Sequence, residues 1–231
     1  MTVASDHGPI GRPVRLATDG VLLQADLVVP EGAIGVVAFA HGSGSGRSSP
    51  RNRSVARTLN ASGLGTLLVD LLTAPEEQAD ARTAKLRFDI DLLTRRLIGI
   101  VDRLSEDAAT RELPIGLFGA STGAAAAVRA GAARSRLVRA VVSRGGRVDL
   151  AVDELPRCIA PTLLIVGGDD PSVLALNRQA LSRSGATAKQ LVVVEGATHL
   201  FEEPGALEQV ARSAAAWFLQ HLGAIAQPAA T

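Results

Sequence analysis

The sequence predicts an α/β protein with a mostly parallel, doubly wound sheet and helices on both faces. Three observations predict it. Four short runs are continuously apolar, at 36–40, 115–118, 162–166 and 191–194; strands buried on both faces read this way. Helical patterns separate these runs, as crossovers between parallel strands require. Each run also ends in a glycine-bearing loop, and open α/β sheets place their sites just past the carboxyl ends of strands.

The elements follow in order. Residues 14–17 and 21–29 read as strands joined at Thr18-Asp19-Gly20, a hairpin turn. Residues 35–40 form a buried strand, 50–62 a helix closed by Gly63, and 67–72 a strand. Residues 73–81 are polar and expected to be irregular. A long amphipathic helix is expected over 82–105, because Leu86, Ile90, Leu93, Leu97, Ile100 and Leu104 share one face. The strand from Ile115 then meets an alanine-rich helix, and 137–143 is a strand ending in Arg144-Gly145-Gly146-Arg147. A strand at 162–166, a helix at 172–184, a strand at 191–194 and a helix at 204–221 complete the pattern. The polar stretch 1–12 and the tail from about residue 224 are expected to lie outside the core, with the tail frayed. No repeat or long linker divides the chain, so 1–231 is expected to be a single domain.

The run Gly119-Ala120-Ser121-Thr122-Gly123 carries the most chemistry. A G-x-S-x-G sequence between strand and helix makes a turn so tight that the serine is strained, with glycine wanted two residues either side. Ser121 is thereby lifted to the positive end of the following helix. By itself the pentapeptide also fits a closely packed glycine turn. A serine nucleophile needs a general base, and the base needs an orienting acid. Gly167-Gly168-Asp169-Asp170-Pro171 follows one strand, and Glu195-Gly196-Ala197-Thr198-His199 follows the next. Asp170, before Pro171, is favoured over Asp169 as the acid; the other is read as a turn or capping carboxylate. His199 is favoured as the base, because His7 lies in the polar N-terminal stretch and His221 near the end of the last helix.

The loop His41-Gly42-Ser43-Gly44-Ser45-Gly46 can turn backbone N–H groups towards a developing oxyanion. Its donor is Ser43, with Gly42 as the alternative, and Thr122 supplies the second. His41 is read as a residue holding this loop by hydrogen bonds. The loop lacks both the ending of a P-loop and the spacing of a dinucleotide fingerprint.

With H-G-S-G-S-G, G-A-S-T-G, G-G-D-D-P and G-A-T-H-L-F-E-E-P in order, the chain resembles the α/β-hydrolase superfamily from about residue 14 to about 222. It is most similar to the dienelactone-hydrolase-type branch. The resemblance implies that fold and a Ser121–Asp170–His199 triad, and the order of elements along the chain shows no separate cap domain. One departure is the serine: the branch's namesake uses cysteine at the elbow, which points this chain towards serine esterase-like chemistry. The expected activity is hydrolysis of a small carboxylic ester or lactone through an acyl-enzyme. Acyltransferase or thioesterase chemistry, or a silent binding fold, are the alternatives.

Composition narrows the classes. A net charge of +1 gives no electrostatic case for nucleic acid or a membrane surface. No apolar run approaches a transmembrane length, and the N-terminus lacks the apolar stretch of a secretory signal. The single cysteine, Cys158, excludes an internal disulfide, reads as a core residue and fits a reducing, cytoplasmic setting. No Cys/His cluster suggests a metal, and the expected chemistry needs no cofactor. Arg47, Arg51 and Arg53 follow the glycine loop, while Arg144 and Arg147 follow a strand, so both groups should reach one rim. Arg47, Arg144 and Arg147 are therefore candidates to bind a substrate carboxylate, against ordinary solvated arginine. Residues 73–81 and the loops near 144–156 are the candidates for a small lid.

Overall fold

A computed structural model of the chain describes residues 11–223. Most of the expected polar stretch 1–12, the tail from residue 224, and His7 lie outside the described residues. The strands are β1 (Arg12–Thr18), β2 (Val21–Val28), β3 (Val36–Ala40), β4 (Gly65–Val69), β5 (Ile115–Ala120), β6 (Val138–Arg144), β7 (Thr162–Gly167) and β8 (Lys189–Val194). The helices are α1 (Pro50–Ala61), α2 (Ala74–Thr83), α3 (Ile90–Glu106), α4 (Thr122–Ala133), α5 (Pro171–Arg183) and α6 (Ala206–Leu222).

The eight strands form one sheet in the order β1-β2-β4-β3-β5-β6-β7-β8. β2 pairs antiparallel with β1 and with β4, and every other neighbouring pair is parallel. The β1–β2 turn places Asp19 at φ 48° and Gly20 at φ 74°. Two successive positive φ values match the turn twist to that of the strands. Alternation along the strands splits the core. Val37, Phe39, Phe118, Val142 and Ile165 face α1 and α6. Val36, Ala38, Leu117, Val141 and Leu164 face the layer of α3 and α4. Residues Ala124 to Ala127 are fully buried, and their small side chains let α4 lie close against the central strands.

Two regions differ from the sequence expectation. Residues 74–83 are helical rather than irregular. Thr73 accepts a hydrogen bond from the Glu76 N–H, while the Glu76 carboxylate takes the Thr73 N–H at 2.7 Å. This reciprocal capping box, with proline in the first turn, starts α2 without any apolar stripe. The expected single helix over 82–105 is broken. Ala84 adopts φ 52°, a 3₁₀ turn spans Leu86–Phe88, and the Asp89 side chain caps α3 by accepting from the Leu92 N–H at 2.9 Å. Leu86 and Ile90 still pack against the core on either side of the break, so apolar spacing continues where the hydrogen-bond ladder stops.

Arg96 locks this region. Its guanidinium is 2% exposed and donates to both Glu76 oxygens, at 2.6 and 2.8 Å, and to the Leu71 carbonyl at 2.6 Å. The hydrogen bonds from Arg96 hold the Glu76 carboxyl down at about 2, from an ordinary 4.5. A depressed folded-state pKa stabilises the fold fully above the unfolded value and loses that contribution as pH falls through the folded one. Glu76→Ala strands a buried guanidinium and is expected to cost about 3 kcal/mol at pH 7. The cost should shrink as pH falls from about 5 towards 2. Urea unfolding of both proteins across that range checks it; a pH-independent difference would assign the effect to helix capping instead.

Candidate functional site

Ser121 stands between β5 and α4 with φ 49° and ψ −121°. Non-glycine residues rarely adopt such a backbone, and its cost is tolerated only where the surroundings fix it. Both flanking glycines are sterically required. A Cβ at residue 119 would lie 2.4 Å from the Ala124 Cα, and one at residue 123 would lie 2.1 Å from the Ala40 carbonyl oxygen. The loop after β6 grips the turn: the Ser121 N–H donates to the Arg144 carbonyl at 3.1 Å, and the Arg147 N–H donates to the Ser121 carbonyl at 3.0 Å.

Asp170 and His199 meet at the ends of β7 and β8. His199 Nδ1 lies 2.6 Å from Asp170 Oδ2. The carboxylate is 11% exposed and the imidazole 39%, so the carboxylate is shielded and the imidazole accessible. Asp170 also caps α5, its Oδ1 accepting from the Val173 N–H at 3.4 Å. The backbone N–H of Asp169 donates to the Ala197 carbonyl at 3.0 Å, and among the described residues only Asp170 reaches the imidazole. A Cβ at Gly145, whose φ is 53°, would lie 3.4 Å from His199 Cε1 and Nδ1. The loop that holds the Ser121 backbone therefore runs close to the imidazole. The Ser121 hydroxyl itself makes no hydrogen bond to any described residue. Hydrogen bonds to a reacting group commonly tighten only once substrate is bound.

The glycine loop lies on the other side of Ser121. A Cβ at Gly42 would sit 3.0 Å from the Ser121 Cβ, so a side chain here would crowd the serine and glycine eases this close approach. Ser43 follows it, and Thr122 is the first residue of α4, where N–H groups have no intrahelical partner. His41 is buried and holds the loop. Its Nε2 accepts from the Leu71 N–H at 2.9 Å, which leaves Nδ1–H to donate to the Gly42 carbonyl at 3.0 Å. Burial lowers its pKa, keeping it neutral in this bridge.

A cleft of about 490 Å³ opens from this loop, walled by the chain leaving β4 at Asp70 and Leu72 and by Glu77 and Asp80 of α2. The segment 73–81 thus forms a wall of the cleft. Burial, then the neighbouring Asp70, raises the Glu77 pKa.

The three candidate arginines part ways. Arg47 lines the cleft, but its backbone N–H and Nη1 both donate to Asp70, at 2.7 and 2.9 Å. Arg147 donates from Nε and Nη2 to the two oxygens of Asp149, at 2.9 and 2.8 Å. Both guanidinium groups thus already hold carboxylates of this chain. Arg144 is different: its side chain makes no hydrogen bond or ion pair with any described residue, and its Nη1 is buried. Asn177 on α5 had no sequence signal at all. Its Nδ2 donates to the Gly146 and Val173 carbonyls, each at 2.8 Å, which pins the 145–147 loop to the helix that Asp170 caps. Among the described residues, no group of three or more His, Cys, Asp or Glu is placed to hold a metal, and no helix is long and apolar enough to cross a membrane. Cys158 is buried, and burial pushes its thiol up to about 11.

Residues 23–223 match the model of the dienelactone hydrolase family. The crystal structure of a dienelactone hydrolase from Anabaena variabilis ATCC 29413 superposes with a TM-score of 0.90 at 53% identity, covering 93% of this chain and 99% of that one. Est1E from Butyrivibrio proteoclasticus shares the fold, with a TM-score of 0.76 at 17% identity over 91% of this chain and 98% of its own. Two curated proteins of Mycobacterium tuberculosis, from strains CDC 1551 / Oshkosh and ATCC 25618 / H37Rv, are 54% identical over 90% of this chain. Both are provisionally named phosphoribosyl transferases. The chain spans about half the length of these relatives, 46% of each.

Proposed function

The chain belongs to the dienelactone hydrolase family, and we propose that it is a serine hydrolase cleaving a small carboxylic ester or lactone. The observation that carries this reading is the strained Ser121, at φ 49° between two sterically obligatory glycines, together with the Asp170-bound His199 at the ends of β7 and β8. The transferase name of the mycobacterial relatives belongs to proteins of which this chain matches under half.

The roles follow from the hydrogen bonds. Asp170 occupies His199 Nδ1, so Nε2 is the nitrogen left to accept a proton. As Ser121 Oγ bonds to the ester carbonyl carbon, its proton passes to Nε2 and the carbonyl electron pair moves onto oxygen. The Ser43 and Thr122 N–H groups, with Gly42 allowing the close approach, receive that oxyanion. The carbon–oxygen bond to the alcohol then breaks, and Nε2 returns the proton to the leaving oxygen. Water repeats the sequence on the acyl-enzyme and releases the acid. No step calls on a metal or organic cofactor.

The cleft sets the expected substrate size. Arg47, Asp70, Glu77, Asp80 and Arg87 give it charged walls, and such walls offer little apolar surface to a long acyl chain. Each buried methylene is worth only about 0.8 kcal/mol even where apolar contact is complete. Hydrolysis of 4-nitrophenyl acetate and butyrate is expected to exceed that of the decanoate in kcat/KM. Absence of hydrolysis with every ester in such a series would overturn the hydrolase reading, and best turnover on decanoate would overturn the cleft assignment.

A further inference from the structure

We propose that Asn177 is a positioning residue that sets the distance between the Asp170–His199 pair and the Ser121 turn. The proposal rests on the hydrolase reading of Ser121. Asn177 lies on α5 about two turns beyond Asp170 and is fully buried. Its Nδ2 donates one proton to the Gly146 carbonyl and the other to the Val173 carbonyl, each at 2.8 Å. Both neighbours are acceptors, so only the amide nitrogen can face them.

A hydrogen-bonded path follows that does not pass through His199. The Val173 N–H donates to Asp170 Oδ1 at 3.4 Å, and the Val173 carbonyl accepts from Asn177. Asn177 also donates to the Gly146 carbonyl, and the next residue, Arg147, donates its N–H to the Ser121 carbonyl at 3.0 Å. Other anchors fix this loop to the sheet and to α4. The Gly145 N–H donates to the Ile165 carbonyl at 2.7 Å, and a Cβ at Gly146 would lie 1.9 Å from Ser143 Oγ and 2.6 Å from Ala124 Cβ. Among the described residues, no other hydrogen bond joins residues 144–147 to α5. One amide thus links the helix that carries the acid to the loop that holds the nucleophile.

Physical cost argues the same way. Asn177 Oδ1 is buried and has no partner among the described residues, and an unpaired buried amide oxygen is costly. A leucine of similar volume would avoid that cost. Two aimed N–H donors account for an amide here. Reacting groups tolerate little error: a displacement of about 1 Å that originates far from the chemistry can lower turnover about 10²-fold.

The test compares the parent with Asn177→Leu and with Ile100→Ala, a change in a buried residue of α3 that also lowers the melting temperature. Measured well below melting, Asn177→Leu should lower kcat on 4-nitrophenyl acetate by about 10- to 100-fold. KM should stay within about twofold, and Ile100→Ala should keep the parental kcat. In an Asp170→Asn background, Asn177→Leu should cost less than about threefold more, because the geometry it sets is already lost. Amide hydrogen exchange at Ser121 and Arg147 should speed up in Asn177→Leu and not in Ile100→Ala. Should Asn177→Leu fail to fold, Asn177→Ser, smaller and with one hydroxyl donor, carries the same comparison with kcat lower by about tenfold. Parental kcat in the folded variant, an equal loss in Ile100→Ala, or full additivity with Asp170→Asn overturns the positioning role. The exchange readout needs no turnover. Exchange that depends on Asn177 in a protein that hydrolyses no ester sinks the hydrolase reading alone. Ester hydrolysis with kcat and exchange both unchanged in Asn177→Leu sinks the positioning role alone.

Discussion

Ser121→Ala is expected to reduce ester turnover by about 10⁴-fold or more while leaving the fold intact. The substitution deletes one oxygen, and that oxygen makes no hydrogen bond to the described chain. Alanine is no more strained than serine at φ 49°, and the turn is held by backbone bonds from the 144–147 loop that the change leaves alone. Melting temperature and circular dichroism should therefore match the parent, while 4-nitrophenyl acetate hydrolysis falls to the buffer rate. Retention of parental turnover would remove Ser121 from the chemistry.

The adjacent carboxylates give the second large effect. Asp170→Asn replaces the acceptor 2.6 Å from His199 Nδ1 with an amide that can donate there. It thereby favours the wrong imidazole tautomer and should lower kcat about 10³- to 10⁴-fold. Asp169→Asn should stay within about tenfold of the parent, because its fixed contact is a backbone bond to the Ala197 carbonyl that asparagine keeps. Equal losses from the two changes, or the reverse order, would contradict the assignment.

Much of this was legible in the sequence, for reasons that differ between elements. The interior strands could be read because burial on both faces leaves a continuous apolar run, and β3, β5 and β7 are buried at every position. The places of Ser121, Asp170 and His199 beyond strand ends were legible because each follows such a run, and a parallel sheet brings the ends of its strands to one edge. The helix α2 was not, since its stability comes from the Thr73–Glu76 capping box and the Arg96 ion pair rather than from an apolar stripe. The sequence Thr73-Ala74-Pro75-Glu76 has the spacing of a capping box, but no apolar run follows it. The break before α3 was hidden because a 3₁₀ turn keeps Leu86 facing the core. The fates of the arginines were out of reach: the partner of Arg47 is 23 residues away in sequence, and nothing local distinguishes it from Arg144.

The central claim is that Ser121 is an activated nucleophile, and an alkyl fluorophosphonate probe addresses it without knowledge of the substrate. Mass spectrometry of the digested adduct should find one label, on the peptide containing Ser121, with labelling abolished by Ser121→Ala and strongly slowed by Asp170→Asn. A parent protein that stays unmodified under conditions that label a known serine hydrolase, or a label carried on another residue, would contradict the account.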